Sequence, residues 1–282
     1  MIVALFAEDR LLDQLVLKGG NAINLIYGYG SRSSLDIDCS IDGDFTDLDE
    51  IRRLLFHSLQ TKFRESDLEV FDFSLEPRPL VQRVGMTDRW GGYTAEFKII
   101  QRGHFERSGG DLEKLRRAAT ETGPGHQRTF RIDFSKHEFC TPKRQDELND
   151  YAIYVYTPEM LSLEKLRAIC QQMKEYSMQR NRSPRARDFY DIYVVLTEGK
   201  VDWASDSCLD LAKNIFAAKS VPLNLIDLIP RYQGFHEQDW ASVKNSVREE
   251  LEPFDFYVNF VVTNGKKLEP LWVVQPPTRI EI

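Results

Sequence analysis

Between Lys18 and Ile41 the chain reads KGGNAINLIYGYGSRSSLDIDCSI, and three features of that run point to chemistry on a phosphorylated substrate. Gly19 and Gly20 open a helical run, where bare backbone lets N–H groups approach a phosphate at a helix N-terminus. Arg32 and Ser34, an Arg-x-Ser, lead into a short apolar strand that carries Asp36 and Asp38. Side chains two apart on a strand share a face, so the two carboxylates project together, about 7 Å apart at the backbone. Mg²⁺ prefers one or two carboxylates completed by phosphate oxygens and water, which this pair suits. A phosphate cradle beside paired carboxylates is equipment for nucleotide transfer.

Such a site normally takes a third carboxylate. Asp133 is the favoured candidate, because Ile132-Asp133-Phe134 sets one acid between two apolar residues and so on the opposite face of a late strand. Asp72, in Phe71-Asp72-Phe73, is its competitor. Farther on, Lys165 lies in a helix of apolar spacing and has the compact charge to reach a triphosphate, although a lone helix lysine is more often a surface residue. Asp188 and Asp191 share a helix face and are suited to hold a metal, a ribose or Lys165; ordinary ion pairs to Arg185 or Arg187 are the plainer alternative. Asp38-x-Ser40-x-Asp42-Gly43 imitates an EF-hand start, but a strand enters it and Asp49 stands where a bidentate Glu belongs, so that reading is rejected. The five histidines show no ligand or triad spacing, and the four distant cysteines read as free thiols.

The elements that must position these residues alternate. Helices are predicted at about Asn21–Tyr27, Leu48–Phe63, Leu112–Thr120, Glu159–Tyr176 and Pro184–Leu196. Strands are predicted at Leu35–Ile41, Leu68–Leu75, Ala95–Ile100, Thr129–Ser135 and Ile153–Tyr156, with more helix beyond residue 199. The pattern is α/β. A length of 282 residues and a hydrophobic fraction of 42% allow a substantial core and two domains. The net charge of −7 gives no bulk attraction for nucleic acid, so any such contact must be local. Residues 98–131 (8 bases, 4 acids) and 162–191 (7 bases, 4 acids) are the stretches able to supply it. Glu8, Asp9 and Arg10 interrupt any signal peptide and no apolar run reaches a membrane span, so a cytoplasmic protein without a membrane partner is expected.

LKGGNAINLIYGYGSRSSLDIDCSI resembles the first motif of the AbiEii/AbiGii nucleotidyltransferase-like toxins, of the DNA polymerase β-like nucleotidyltransferase superfamily. TPEMLSLEKLRAI and RSPRARDFYDIYVVL are similar to the later Lys and Asp-x-x-Asp motifs, in the same order. The resemblance implies a nucleotidyltransferase domain with a mixed, strongly twisted sheet over 1–157 and a mostly helical domain over 158–282. It implies transfer of a nucleoside monophosphate from an NTP to an acceptor hydroxyl on tRNA or protein, as the toxin of a toxin–antitoxin or phage-defence pair with a cognate antitoxin protein. Gly19 and Gly20 would bind phosphate, Asp36 and Asp38 would hold Mg²⁺, Lys165 would contact the nucleotide phosphates, and Asp188 and Asp191 would support the site. Arg32 and Ser34 count with the nucleotide-binding residues, and Asp133, on the residues' own evidence, with the metal ligands and catalytic groups. Asn21 departs from the Ser or Thr common after the glycine pair, which removes a hydroxyl from a phosphate contact while leaving a helix cap. Arg180, Arg182, Arg185 and Arg187 are suited to RNA phosphates. A small-molecule nucleotidyltransferase and a non-catalytic nucleotide-binding module are the alternatives.

Overall fold

The computed structural model describes residues 1–32, 34–79, 90–122, 126–178 and 181–273. Internal contacts divide the chain into two compact units, one of Met1–Ala22 with Ser34–Tyr156 and one of Ile23–Ser33 with Thr157–Ile282.

The first unit is built on one mixed sheet of seven strands. These are β1 (Leu15–Lys18), β2 (Ile37–Ile41), β3 (Leu68–Arg78), β4 (Gly92–Gln101), β5 (Phe130–Ser135), β6 (Lys143–Leu148) and β7 (Tyr151–Tyr156). They lie in the order β3-β4-β5-β2-β1-β7-β6, with β2–β5 and β1–β7 parallel and the other neighbours antiparallel. This is the α/β class that the alternating pattern predicts. Leu17, Ile37, Cys39, Ile132, Phe134 and Val155 are buried on one face. The helix Leu48–Arg64 packs on β3, and Ile2–Phe6 packs on that helix and on β7. Asp47 caps the longer helix by accepting the Glu50 N–H at 2.9 Å. Ile51, Leu55 and Leu59, spaced four apart, are its buried stripe.

The second unit is helical in its described residues, with principal helices Pro158–Cys170, Ala186–Glu198, Asp206–Ala218 and Phe254–Gly265. The first of these ends six residues short of the predicted Tyr176. Apolar spacing outlasts the helix there, since Met173 and Tyr176 stay buried in the turns that follow. Pro158–Cys170 packs against both Ala186–Glu198 and Asp206–Ala218, and residues all round it are buried. Among the described residues, no helix is long and apolar enough to cross a membrane.

Where that helix is buried most deeply, the Trp203 indole N–H donates to Ser162 Oγ at 3.0 Å. Ser162→Ala leaves this buried donor without its acceptor, and the expected cost is about 1–3 kcal/mol in a urea titration. A variant as stable as the parent would contradict the pairing.

Candidate active site

One rung of register partners crosses five strands of the sheet. Glu76 on β3 pairs with Thr94 on β4, Thr94 with Asp133 on β5, Asp133 with Asp38 on β2, and Asp38 with Lys18 on β1. Register partners leave a sheet on the same face, and alternation puts this row opposite Ile37, Cys39, Ile132 and Phe134. The two apolar residues flanking each acid hold it there. Asp133 Oδ1 accepts the Thr94 hydroxyl at 2.7 Å and an Arg78 N–H at 3.2 Å. Asp36 sits exposed, immediately before β2. Its charge reaches Arg131, whose guanidinium is held above its ordinary value, first by its hydrogen bonds to Glu96 and also by Asp133 and Asp36.

The glycine pair is built into the same rung. Gly19 has φ +72°, and a Cβ there would lie 2.6 Å from Asp38 Oδ2. Only glycine accepts both that backbone angle and the close carboxylate. Lys18, almost fully buried, lies 3.7 Å from Glu138 and over the Tyr156 ring. Neither Lys18 nor Glu138 stood out in the sequence, where nothing announces a buried charge on a four-residue strand. Asn21 is buried and donates through Nδ2 to the Asp36 carbonyl at 2.7 Å. The Ser34 hydroxyl approaches that carbonyl at 3.3 Å. The amide at the atypical position therefore holds the backbone that presents Asp36.

Asp72 is placed elsewhere. It lies on β3, separated from β2 by β4 and β5, at φ +52° in the irregularity between Phe71 and Ser74. Arg116 donates to both its oxygens at 2.7 and 2.9 Å and Lys98 adds a bond at 2.8 Å. Those partners, Arg116 foremost, pull its pKa down to about 2. Among the described residues, no three His, Cys, Asp or Glu side chains converge as a ready metal cage. Mg²⁺ does not need one, since it takes one or two carboxylates completed by phosphate oxygens and water, and Asp38 and Asp133 are register partners that could supply them.

The other candidates meet in the second unit as a chain of alternating charge. Arg32 donates through Nε and Nη2 to the two oxygens of Asp191, each at 2.9 Å. Lys165 Nζ lies 2.6 Å from Asp191 and 3.1 Å from Asp188, and Arg185 Nε donates to Asp188 at 2.6 Å. Asp188 and Asp191 thus hold Lys165, one of the roles open to them in the sequence, and Asp188 also makes the plainer pair with Arg185. Burial opposes the charge on both acids, yet Arg185 and Lys165 lower Asp188, and Lys165 and Arg32 lower Asp191, below the ordinary range. The two acids raise Lys165 against the effect of its own burial. Gly30, at φ +63°, donates its N–H to Glu198 at 3.1 Å, so the segment bearing Arg32 is fixed along Ala186–Glu198. His236, unremarkable in the sequence, is fully buried and accepts the Arg185 backbone N–H through Nδ1 at 3.1 Å. Burial holds its pKa down to about 4. Arg182 and Arg187 are exposed, and Arg180 lies outside the described residues.

Removing the central cation strands two buried carboxylates, so Lys165→Met is expected to cost about 3–5 kcal/mol of stability in urea. A loss under 1 kcal/mol would contradict the arrangement. The same cluster sets an acid limit. His236 is neutral in the fold and binds its proton more readily when unfolded, so stability falls as pH drops from about 6.5 to about 4. The lowered Asp188 and Asp191 contribute fully above the unfolded carboxylate value near 4, and their contribution is lost as pH falls below it. Urea midpoints measured from pH 7.5 downward should show both stages, with His236→Phe removing the first. A midpoint flat to pH 4 would count against it.

The sequence profile of the nucleotidyl transferase AbiEii toxin family, of type IV toxin–antitoxin systems, matches residues 2–260. No curated protein matches in sequence. Among solved structures, JHP933 from Helicobacter pylori is 15% identical, with 96% of this chain and 91% of that one covered and a TM-score of 0.46. An antigenic nucleotidyltransferase-like protein from Paracoccidioides brasiliensis is also 15% identical, with 84% and 90% covered and a TM-score of 0.36. With nearly its whole length matched by the profile, this chain belongs to the AbiEii family of nucleotidyltransferase toxins.

Proposed function

We propose that this nucleotidyltransferase binds an NTP with Mg²⁺ and transfers its nucleoside monophosphate to a hydroxyl of tRNA or protein, releasing pyrophosphate. The observation that carries the reading is the parallel register that pairs Asp38 with Asp133 beside the close Gly19 backbone. Asp38 and Asp133 would hold the metal, and the exposed Asp36 would close on it as a third carboxylate; the ion would supply charge neutralisation for the triphosphate and a lowered pKa for the acceptor hydroxyl. Gly19 and Gly20 present backbone N–H groups to phosphate oxygens. Asn21 keeps Asp36 in place through its carbonyl, and Ser34 braces the same carbonyl.

The acceptor oxygen attacks the α-phosphorus. A new P–O bond forms, the bond from the α-phosphorus to the bridging oxygen breaks, and pyrophosphate leaves with that electron pair. The hydroxyl proton passes to Asp133 through Oδ2, the oxygen that neither Thr94 nor Arg78 holds. In the second unit, two carboxylates take two of the three Lys165 N–H donors, and the third would go to a nucleotide phosphate. Arg32 acts through Asp191, keeping that carboxylate on Lys165. Catalysis on this account is positioning and charge neutralisation. The toxin role fits a cognate antitoxin protein as partner and, in the host, action inside the cytoplasm.

The test is transfer of label from each α-labelled NTP, with Mg²⁺ and either total tRNA or cell protein as acceptor, beside an Asp36→Ala control. Label is expected in one acceptor class with the parent only, and for RNA the signal should weaken as salt is raised. An Asp36→Ala variant that labels as well as the parent would refute the assignment. NTP binding without label in either class would turn the reading toward a small-molecule acceptor.

A further inference from the structure

On the face that carries Asp133, strands β3, β4 and β5 leave an open groove of about 420 Å³, lined by Ser74, Glu76, Arg78, Thr94, Glu96 and Arg131. The strand order sets this groove on the far side of Asp133 from Asp38 and Gly19. If the nucleotide phosphates lie against Gly19 and Asp38, the groove is the side from which the acceptor arrives.

Both cations of the groove rest on carboxylates, but the two bridges differ. Arg131 places two N–H groups on Glu96 Oε1, and Glu96 has no part in the proposed chemistry. Arg78 makes a single contact of 3.2 Å through Nη1, and its side chain is 65% exposed. The oxygen it touches, Asp133 Oδ1, already accepts the Thr94 hydroxyl at the shorter distance of 2.7 Å. A lone, long and exposed bridge is weak and easily exchanged. Its carboxylate is also the one assigned to a divalent cation, and a guanidinium beside a dication is repelled.

We propose that Arg78 is the acceptor-binding residue of this groove, parked on Asp133 until a divalent cation takes that carboxylate and then turned to a phosphate of the acceptor. The guanidinium fork suits a phosphate through two parallel N–H bonds, which a single contact to Asp133 leaves unused. Thr94 stays on Asp133 in both arrangements and keeps the carboxylate oriented. The inference rests on Asp133 being a cation ligand and on tRNA, of the two acceptor classes proposed above, being the one that enters the groove.

The experiment is a Mn²⁺ titration of the full chain, followed by the EPR signal of the unbound ion, for the parent, Arg78→Ala, Arg78→Lys and Asp133→Asn. Loss of the competing guanidinium is expected to tighten Mn²⁺ binding in Arg78→Ala by about two- to fivefold, with Arg78→Lys close to the parent. Asp133→Asn should bind more weakly than the parent. With total tRNA as acceptor, Arg78→Ala should raise the KM for tRNA about tenfold and leave the KM for NTP unchanged. Unchanged or weaker Mn²⁺ binding in Arg78→Ala overturns the proposal whichever acceptor the enzyme uses, as does a rise in the KM for NTP in place of tRNA. Parent-like Mn²⁺ binding by Asp133→Asn defeats the cation assignment and Arg78 with it. Weakened Asp133→Asn together with unchanged Arg78→Ala defeats the Arg78 role alone.

Discussion

The parallel register of β2 and β5 is the constraint on which the first unit depends. Ile37 faces Ile132 and Cys39 faces Phe134 in the core, and that pairing brings Asp38 level with Asp133 on the other face. Side chains alternate along a strand, so a slip of one residue between the two would drive one of the carboxylates into the apolar layer and bring its two apolar neighbours out of it. Burying an unpaired carboxylate costs several kcal/mol, which makes the slipped register prohibitive. The hydrophobic face therefore fixes the polar one. β1 follows, because its antiparallel pairing with β2 ends at Lys18 opposite Asp38 and turns the chain at Gly19.

Charge plays a different part in the second unit. Arg32, Asp191, Lys165, Asp188 and Arg185 alternate in sign through a buried row, and each acid is flanked by two cations. Taking Asp191, Lys165 and Asp188 out of water is expensive, and apolar residues of the same volume would often serve stability as well. What the row provides is position. Arg32 and Gly30 tie the 23–33 segment to two points, Asp191 and Glu198, two turns apart on one helix. His236 closes the row at Arg185 with a neutral acceptor, which burial keeps neutral.

Strong periodicity made much of this legible in the sequence. Leu48–Arg64, with its apolar side at Ile51, Leu55 and Leu59, is found within one residue of its predicted bounds. Asp38 and Asp133 stood out because each interrupts an apolar strand. β1 and β6 did not stand out: the first is four residues, all buried, with no alternation to read, and the second, KRQDEL, is a charged edge strand. The choice between Asp72 and Asp133 needed strand order, which no local pattern encodes. Asn21 was legible as a departure, but its bond to the Asp36 carbonyl depends on a turn that spacing does not reveal. The excursion of residues 23–33 into the second unit was hidden for the same reason, since Arg32 and Asp191 are 159 residues apart.

Membership of a nucleotidyltransferase toxin family gives the reaction type, and the rung from Glu76 to Lys18 gives the place where it is proposed to occur. The most direct test is crystallographic: crystals grown with Mn²⁺ and a non-hydrolysable NTP, with the ion located by its anomalous signal. A peak in contact with the Asp38 and Asp133 carboxylates is the predicted result. A peak at Asp72 or at Asp188 and Asp191, with none at Asp38 and Asp133, would contradict the account.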